Sequence, residues 1–379
     1  MLNPPSQGRY NLILKSETRI QSEYPQQQNT SGGIIRFQFL PCVRGHFLLL
    51  FAFFALSLCT TTHAADMKIT LASPGPGNLL YMPIDLAKKI GADTAEGVSL
   101  EVRYFGGGPH AVQDMLEKNS DFAVLGMPAL AEQRASGNPV LCIAPISQVP
   151  AYSLLVRSDL KGKIRKIADL KGHVIGVMGH TKGGRSTSQM LTEYMLMRNG
   201  IAVDSVNFVP IGKSYAAQLA ALDSGTVDAI MGDEPYASRM HQAGIGFYLA
   251  DLHDPRAVKK LLGSLFLNAQ LTTREDVMSN HPEQVEKMVK IMKRTLVWIN
   301  QHSPQQIVHA FDFSNPAERS ALLAALKKYK AMYSPDGTFS TAQIRATEQF
   351  FHEVLKDTPA ARSLEFNSFI VDKWAGRRR

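Results

Sequence analysis

KITLA (residues 68–72) begins a stretch that continues with LYMPIDLAKK (80–89), SLEVRY (99–104), AVQDMLEK (111–118) and FAVL (122–125). The first, third and fifth segments are short and rich in residues that strands prefer. The two segments between them place apolar side chains at helical spacing, as Val112, Met115 and Leu116 do in the second of them. This order predicts a strand–helix–strand–helix–strand unit with parallel strands.

The same order returns later in the chain, after two strand-like segments at 140–146 and 152–157. Strands are predicted at 174–177, 206–210 and 229–232, and helices at 186–198 and 215–223. One more strand is predicted at 264–269, and the chain is mostly helical from 282 to 355. The sequence therefore predicts an α/β fold with two sheets, each mainly parallel and flanked by helices.

The first 65 residues have the order of a secretory signal peptide. Arg36 and Arg44 precede an apolar run at 47–56, and small or polar residues follow it. The run is much shorter than the roughly 20 residues that a membrane-spanning helix needs. We therefore predict export to the periplasm and loss of residues 1–65 as a leader. An uncleaved anchor and lipid attachment at Cys59 are the alternatives.

Charge and cysteine content narrow the class of protein. The 379 residues carry a net charge of +8, and removal of the leader takes away five basic and two acidic residues, which leaves +5. The basic residues are spread along the chain, so we predict no nucleic-acid binding. We also expect a monomer. Cys142 is the one cysteine after the leader, so the mature chain cannot form an internal disulfide.

The loops that follow the predicted strands are the places to look for a ligand, because open α/β sheets bind ligands beyond the carboxyl ends of their strands. Glycine lets backbone N–H groups approach a ligand closely, and a helix start behind it favours an anion. The alternative is ordinary turn chemistry. The candidates in the first half are Pro76, Gly77, Asn78, Tyr81, Gly106, Gly107, Gly126 and Met127.

The second half offers a richer loop at 178–188, between a predicted strand and a predicted helix. Its hydroxyls, glycine amides and guanidinium could together hold a carboxylate or sulfonate. The alternative is that Ser186 or Thr187 only caps the helix and Arg185 points to water. The binding candidates are Thr181, Gly184, Arg185, Ser186 and Thr187, with Glu234 after the strand at 229–232 and Gln148 in the connection at 147–150.

Patterns that would indicate catalysis or a bound metal are missing. The chain contains no HExxH, GxSxG, GxGxxG or GxxxxGK[ST] motif. Cys142 lies in an apolar segment, where an inert buried thiol is expected. We therefore predict no catalytic residues, no metal and no cofactor, and a protein that is not an enzyme.

Several phrases together resemble the periplasmic solute-binding proteins of the nitrate/sulfonate/taurine type, which are related to the binders of thiamine pyrimidine precursors. The phrases are IADLKG (167–172), the glycine-rich loop with Ser186 and Thr187, RNGI (198–201), and AALDSGTVDA (220–229) leading to Glu234 and Pro235. The resemblance covers nearly the whole mature chain.

The resemblance implies a type II periplasmic-binding-protein clamshell in which the chain crosses between lobes near Gln148 and again near 243–246. It implies one lobe from 66–148 and 247–379 and another from 149–246. It also implies capture of a small organic or inorganic anion for the permease of an ABC importer. A pyrimidine or aromatic carboxylate ligand, a sensory role and a two-lobed lyase of related fold are the alternatives.

Overall fold

The structure is a computed structural model that describes residues 67–178, 185–212 and 214–379. Its strands, in chain order, are β1 (Met67–Pro74), β2 (Val98–Phe105), β3 (Phe122–Gly126), β4 (Val140–Pro145), β5 (Tyr152–Arg157), β6 (Val174–Met178), β7 (Asn207–Ile211), β8 (Ala229–Asp233), β9 (Gly246–Asp251), β10 (Ala269–Arg274), β11 (Phe339–Ser340) and β12 (Arg377–Arg378).

The strands of the described residues form two five-stranded sheets and a short pair, β11–β12. The first sheet has the order β2–β1–β3–β10–β4, and the second has the order β7–β6–β8–β5–β9. In each sheet four strands run in one direction and one runs against them, β10 in the first and β5 in the second. The reversed strand is in both cases the one that follows a passage from the other sheet.

The prediction of two sheets in an α/β fold is confirmed. The prediction of mainly parallel sheets holds for strand direction, although parallel and antiparallel pairings are equally frequent in each sheet. Strand β9 belongs to the second sheet, so a division by sheets places the return to the first lobe after Asp251. The division of the chain into lobes otherwise stays a prediction.

Helices flank both sheets and fill the last third of the chain. Their bounds are Met82–Lys89, Gly108–Leu116, Met127–Ala135, Thr187–Arg198, Tyr215–Asp223, Tyr236–Gln242, Pro255–Leu262, Glu275–Asn280, Pro282–Gln301, Pro304–Ala310, Pro316–Tyr329, Thr341–Val354 and Pro359–Arg362. Tyr194 packs edge-on against Phe266 and Phe350, with ring centroids 6.1 and 4.8 Å away. This contact joins the helix after β6 to the C-terminal helices.

The strand predicted at 264–269 is wrong, because the structure places β10 at Ala269–Arg274. The strand is buried on both faces although four of its six residues are polar. Both threonines donate to carbonyls of the chain at 121–123, Thr272 to Ala123 at 2.9 Å and Thr273 to Asp121 at 2.8 Å. The apolar residues that predicted a strand therefore end where β10 begins, because β10 itself is mostly polar.

Arg274 is a buried charge that ties β10 to the end of the neighbouring helix. Its Nη1 donates to the carbonyls of Met115 and Ser120 at 2.5 and 2.7 Å, and its Nε donates to Asp276 at 2.8 Å. Methionine in its place would leave both carbonyls without this donor. We expect Arg274→Met to lower the free energy of unfolding by about 3 kcal/mol, measured by urea denaturation.

Lys118 provides a matched control for Arg274, because its amine pairs with the same Asp276 at 3.1 Å while its side chain is 69% exposed. Exposed ion pairs contribute little to stability. We expect Lys118→Met to cost less than about 1 kcal/mol. A cost for Arg274→Met as small as that of the control would show that the buried bonds do not stabilise the sheet.

None of the helices within the described residues is long and apolar enough to cross a membrane.

Candidate functional site

The carboxyl ends of the two sheets meet through the side chains of Asn78 and Asp233. Asn78 lies in the loop after β1, and Asp233 is the last residue of β8. The amide of Asn78 donates to Asp233 Oδ2, and the amide of Gln218 donates to Oδ1 of the same carboxylate at 3.1 Å. Asp233 is buried, so these bonds form away from water. One carboxylate thus joins a loop of the first sheet to the second.

A backbone hydrogen bond crosses the same boundary next to this pair. The N–H of Leu79 donates to the carbonyl of Glu234 at 3.1 Å. Asn78 orients the loop for this contact, because its Oδ1 accepts the N–H of Leu80 at 2.8 Å and caps the short helix Leu79–Tyr81. The side chain of Asn78 therefore serves both its own loop and the opposite sheet.

Gly126 and Thr187 form a third contact between the sheets. Gly126 ends β3, and Thr187 begins the helix that follows β6. A Cβ added at Gly126 would lie 2.1 Å from Thr187 Oγ1 and 3.0 Å from Thr187 Cβ. Only glycine therefore fits at this position while the two elements are together.

Two buried tyrosines lie near the Asn78–Asp233 pair. Burial raises the pKa of the Tyr81 hydroxyl, and the charge of Asp233 raises it further. Burial also raises the pKa of Tyr152, with added effects of Tyr81 and Asp233. Both phenols therefore stay neutral at the boundary between the sheets, where a phenolate beside Asp233 would be repelled.

A cavity of about 480 Å³ opens beside these contacts and has walls from both sheets' loops. Its size lies in the range typical of sites for small organic molecules. Its walls are mainly apolar and aromatic, with a few charged side chains. The lining residues are Pro76, Gly77, Leu79, Met82, Asp85, Pro235, Tyr236, Arg239, Phe311, Phe313, Asn315, Ala317, Glu318, Ala321 and Leu322.

Among the candidates from the sequence, Pro76 and Gly77 line this cavity, whereas Asp85, Arg239 and the aromatic residues after 310 were missed. Asp85 accepts the Tyr104 hydroxyl at 2.6 Å and the N–H of Gly77 at 3.5 Å. Burial raises the pKa of Asp85 although these hydrogen bonds act against the rise. Its place in the first turn of a helix gave no signal beyond ordinary helix chemistry.

Glu234 lies behind the cavity in a polar network of the second sheet. Its carboxylate accepts the N–H of Ser238 at 3.2 Å and the Tyr248 hydroxyl at 3.5 Å. Burial raises the pKa of Glu234, against the lowering effects of His253 and Ser238. Glu234 is therefore held within its own lobe by its side chain, while its carbonyl makes the contact to Leu79.

Asp251, at the end of β9, connects this network to the helix Pro316–Tyr329. It accepts from Tyr329 at 3.1 Å and pairs with Lys328 at 2.9 Å and with His253 at 3.0 Å. Burial disfavours the Asp251 carboxylate, but the hydrogen bond and charge of His253 and then Lys328 outweigh it, and the pKa of Asp251 lies well below its ordinary value. The C-terminal helices are thereby tied to the second sheet.

The loop that the sequence favoured as an anion cradle is described only in part. Thr181 and Gly184 lie outside the described residues. Ser186 caps the helix Thr187–Arg198 by accepting the N–H of Gln189 at 3.3 Å, which is the alternative considered for it. Arg185 pairs with Glu193 at 2.7 Å. Its charge therefore already has a buried carboxylate as partner.

The other candidates lie apart from the cavity walls. Gly107 precedes the helix Gly108–Leu116, and Gly106 is exposed. Met127 is buried and donates its N–H to the carbonyl of Asn268 at 2.6 Å. The side chain of Gln148 donates to the carbonyl of Ala331 at 3.2 Å. A role of these residues in binding stays a prediction.

Within residues 67–178, 185–212 and 214–379, no group of three or more His, Cys, Asp or Glu side chains could hold a metal ion.

Sequence comparison relates this chain to known proteins. A family model described as NMT1/THI5 like matches residues 81–307, which is more than half of the chain. The protein YtlA of Bacillus subtilis (strain 168) is 25% identical over 306 residues, which cover 76% of this chain and 83% of YtlA.

Solved structures share the fold. One from Bordetella bronchiseptica RB50 has a TM-score of 0.69 at 21% identity, over 83% of this chain and 96% of that one. The alkanesulfonate-binding protein SsuA from Xanthomonas axonopodis pv. citri, bound to MOPS, has a TM-score of 0.63 at 16% identity, over 83% of this chain and 100% of SsuA. The predicted periplasmic-binding-protein type II fold is thereby confirmed. Fold and family model agree, and the chain belongs to the NMT1/THI5-like family.

Proposed function

We propose that this protein is the extracytoplasmic solute-binding component of an ABC-type import system. It holds a small organic solute between its two lobes and presents the closed form to a membrane permease. The support comes from the chain's own geometry together with the family and the likeness to binding proteins.

The observation that carries the proposal is a cavity whose walls come from loops of both sheets, next to the Asn78–Asp233 and Leu79–Glu234 contacts that join the same sheets. A solute that touches both walls interacts fully only when those contacts are made. Such a solute stabilises the closed form relative to an open one, which is the differential binding that a conformational signal requires.

The cavity favours an organic solute over an inorganic anion. A volume of about 480 Å³ with aromatic and aliphatic walls would leave nitrate poorly contacted and poorly solvated. Arg185, the cation expected to hold an anion, is paired with Glu193. Among the anions considered from the sequence, organic sulfonates and aromatic carboxylates therefore fit better than nitrate.

The hydrogen bonds of two buried acids support binding without chemistry. Asp233 accepts hydrogen bonds from two amides, and Glu234 accepts from Ser238 and Tyr248. Both carboxylates are thus occupied in holding the structure together. A lyase of related fold would need an acid or base at the reacting atoms of the solute, and neither of these two buried carboxylates lines the cavity.

A thermal-shift screen tests the proposal. The purified protein is heated with taurine, MOPS, aromatic carboxylates, amino acids, pyrimidines or nitrate. A solute at a hundredfold excess over its Kd should stabilise the folded protein by about 2.7 kcal/mol. We expect an organic solute to raise Tm and to be recovered unchanged by mass spectrometry. A chemically altered solute, or stabilisation by nitrate alone, would contradict the proposal.

A further inference from the structure

The charges on the cavity walls limit which class of solute can bind there, an inference that rests on the proposed binding function. The cavity lies between the loop at Pro76 and Gly77, the helix Tyr236–Gln242, and residues 311–322. The last of these walls lies beyond the part of the chain that matches the family model, which ends at residue 307.

Asp85 places a carboxylate on the wall of the first sheet. Among the described residues no Lys, Arg or His side chain forms an ion pair with it, and its bonded partners are the hydroxyl of Tyr104 and the N–H of Gly77. Asp85 is half-buried, so its carboxylate is partly desolvated without a cation beside it. A cationic group on a solute would supply the missing charge.

Arg239 places a guanidinium on the opposite wall. Its Cζ lies 3.7 Å from the centroid of the Tyr215 ring, so the side chain is held by a stacking contact. Within the described residues it forms no ion pair with a carboxylate. The stacking leaves the edge of the guanidinium, which binds carboxylates and sulfonates in pairs of hydrogen bonds, available to a solute.

Between these charges the cavity is apolar. The rings of Phe311 and Phe313 stack with centroids 5.4 Å apart, and Leu79, Met82 and Leu322 add aliphatic surface. The same walls also carry Glu318, in the first turn of the helix Pro316–Tyr329. A solute with an anionic group alone would thus face two carboxylates and one guanidinium.

We propose that this cavity binds an organic zwitterion with an apolar body, its basic group toward Asp85 and its acidic group toward Arg239. A solute with one charge leaves either the half-buried carboxylate of Asp85 or the exposed guanidinium of Arg239 without a charged partner. The zwitterion pairs with Asp85 on one lobe and with Arg239 on the other, so its ends hold the lobes together.

Calorimetric titration with two sets of three probes tests the inference, and each set has a zwitterion, an acid and an amine with the same apolar body. The aromatic set is phenylalanine, 3-phenylpropionate and phenethylamine. The aliphatic set is leucine, 4-methylpentanoate and isopentylamine. We expect the zwitterion of at least one set to bind about tenfold or more tightly than its singly charged relatives. In Asp85→Asn the advantage over the acid should disappear. In Arg239→Gln the advantage over the amine should disappear.

Two further variants control for structure. Tyr104→Phe removes the hydrogen bond that the Tyr104 hydroxyl donates to Asp85 but keeps the charge of Asp85. Arg256→Gln removes an exposed guanidinium outside the cavity lining. Both should keep the preference for the zwitterion. Equal binding of an acid or amine and its zwitterion would overturn the inference and leave the proposed function intact. Failure of all six probes to bind would overturn the inference but not the proposed function, which the thermal-shift screen tests with other solutes.

Discussion

Asn78→Asp should weaken solute binding by roughly 30- to 1,000-fold at neutral pH, a loss of about 2–4 kcal/mol. The change is nearly isosteric, and aspartate caps the short helix Leu79–Tyr81 as well as asparagine does. It replaces the amide that donates to Asp233 with a second carboxylate. Two facing carboxylates repel each other, so the contact between the lobes should open while each lobe stays folded.

The pH dependence of this variant identifies the cause. One of two facing carboxylates has a raised pKa, so the pair takes up a proton as the pH falls. Affinity measured by calorimetry should therefore recover between pH 8 and about pH 5 in the variant more than in the parent. The exchange Asn78→Asp with Asp233→Asn restores one donor and one acceptor, and should restore binding at pH 8. Equal affinities of parent and single variant would contradict the role of this pair.

Gly126→Ala should weaken solute binding by roughly 5- to 150-fold, because overpacking costs about 1–3 kcal/mol and the clash exists only when the lobes are together. The new Cβ would lie 3.0 Å from the Cβ of Thr187 and 3.1 Å from its Cγ2, so rotation of the hydroxyl cannot relieve the contact. Gly126 has φ −72° and ψ 139°, which alanine adopts freely.

The double variant Gly126→Ala, Thr187→Gly tests whether the clash acts across the boundary. Removal of the whole Thr187 side chain makes room for the methyl group, so affinity should return to within a few-fold of the parent. The Tm without solute should change little in Gly126→Ala. A large fall in that Tm, or no rescue in the double variant, would place the effect of Gly126 within its own lobe.

Local sequence patterns were sufficient to predict most of the fold. The strand at 152–157 and the helix at 215–223 have the predicted bounds, because short apolar segments and helical spacing are local signals. The helix Met127–Ala135 and the strand β9 were missed. The helix is apolar at its start and polar at its end, without the stripe that identifies an amphipathic helix.

Less of the site than of the fold could be predicted from the sequence. The rule that ligands bind beyond the carboxyl ends of strands predicted Asn78, Gly126, Thr187 and Glu234 as binding residues, and the structure places them where the sheets meet. Their role in binding stays a prediction. Partners of charges could not be predicted in this way. The pairing of Arg185 with Glu193, for example, depends on where the folded chain places the buried side chain of Glu193.

The cavity itself depends on tertiary structure. Asp85, Arg239 and Phe311 are separated by many residues, and no local pattern relates them. They come together because the C-terminal helices pack back onto the two sheets. The sequence therefore predicted an anion from loop chemistry, whereas the walls in the structure carry charges of both signs.

Closure on a solute is the central claim, and small-angle X-ray scattering of the protein with and without its best stabilising solute tests it most directly. We expect the radius of gyration of the parent to fall when the solute is added at saturation, and that of Gly126→Ala to fall less. An unchanged radius of gyration in the parent at saturating solute would contradict closure of the two lobes.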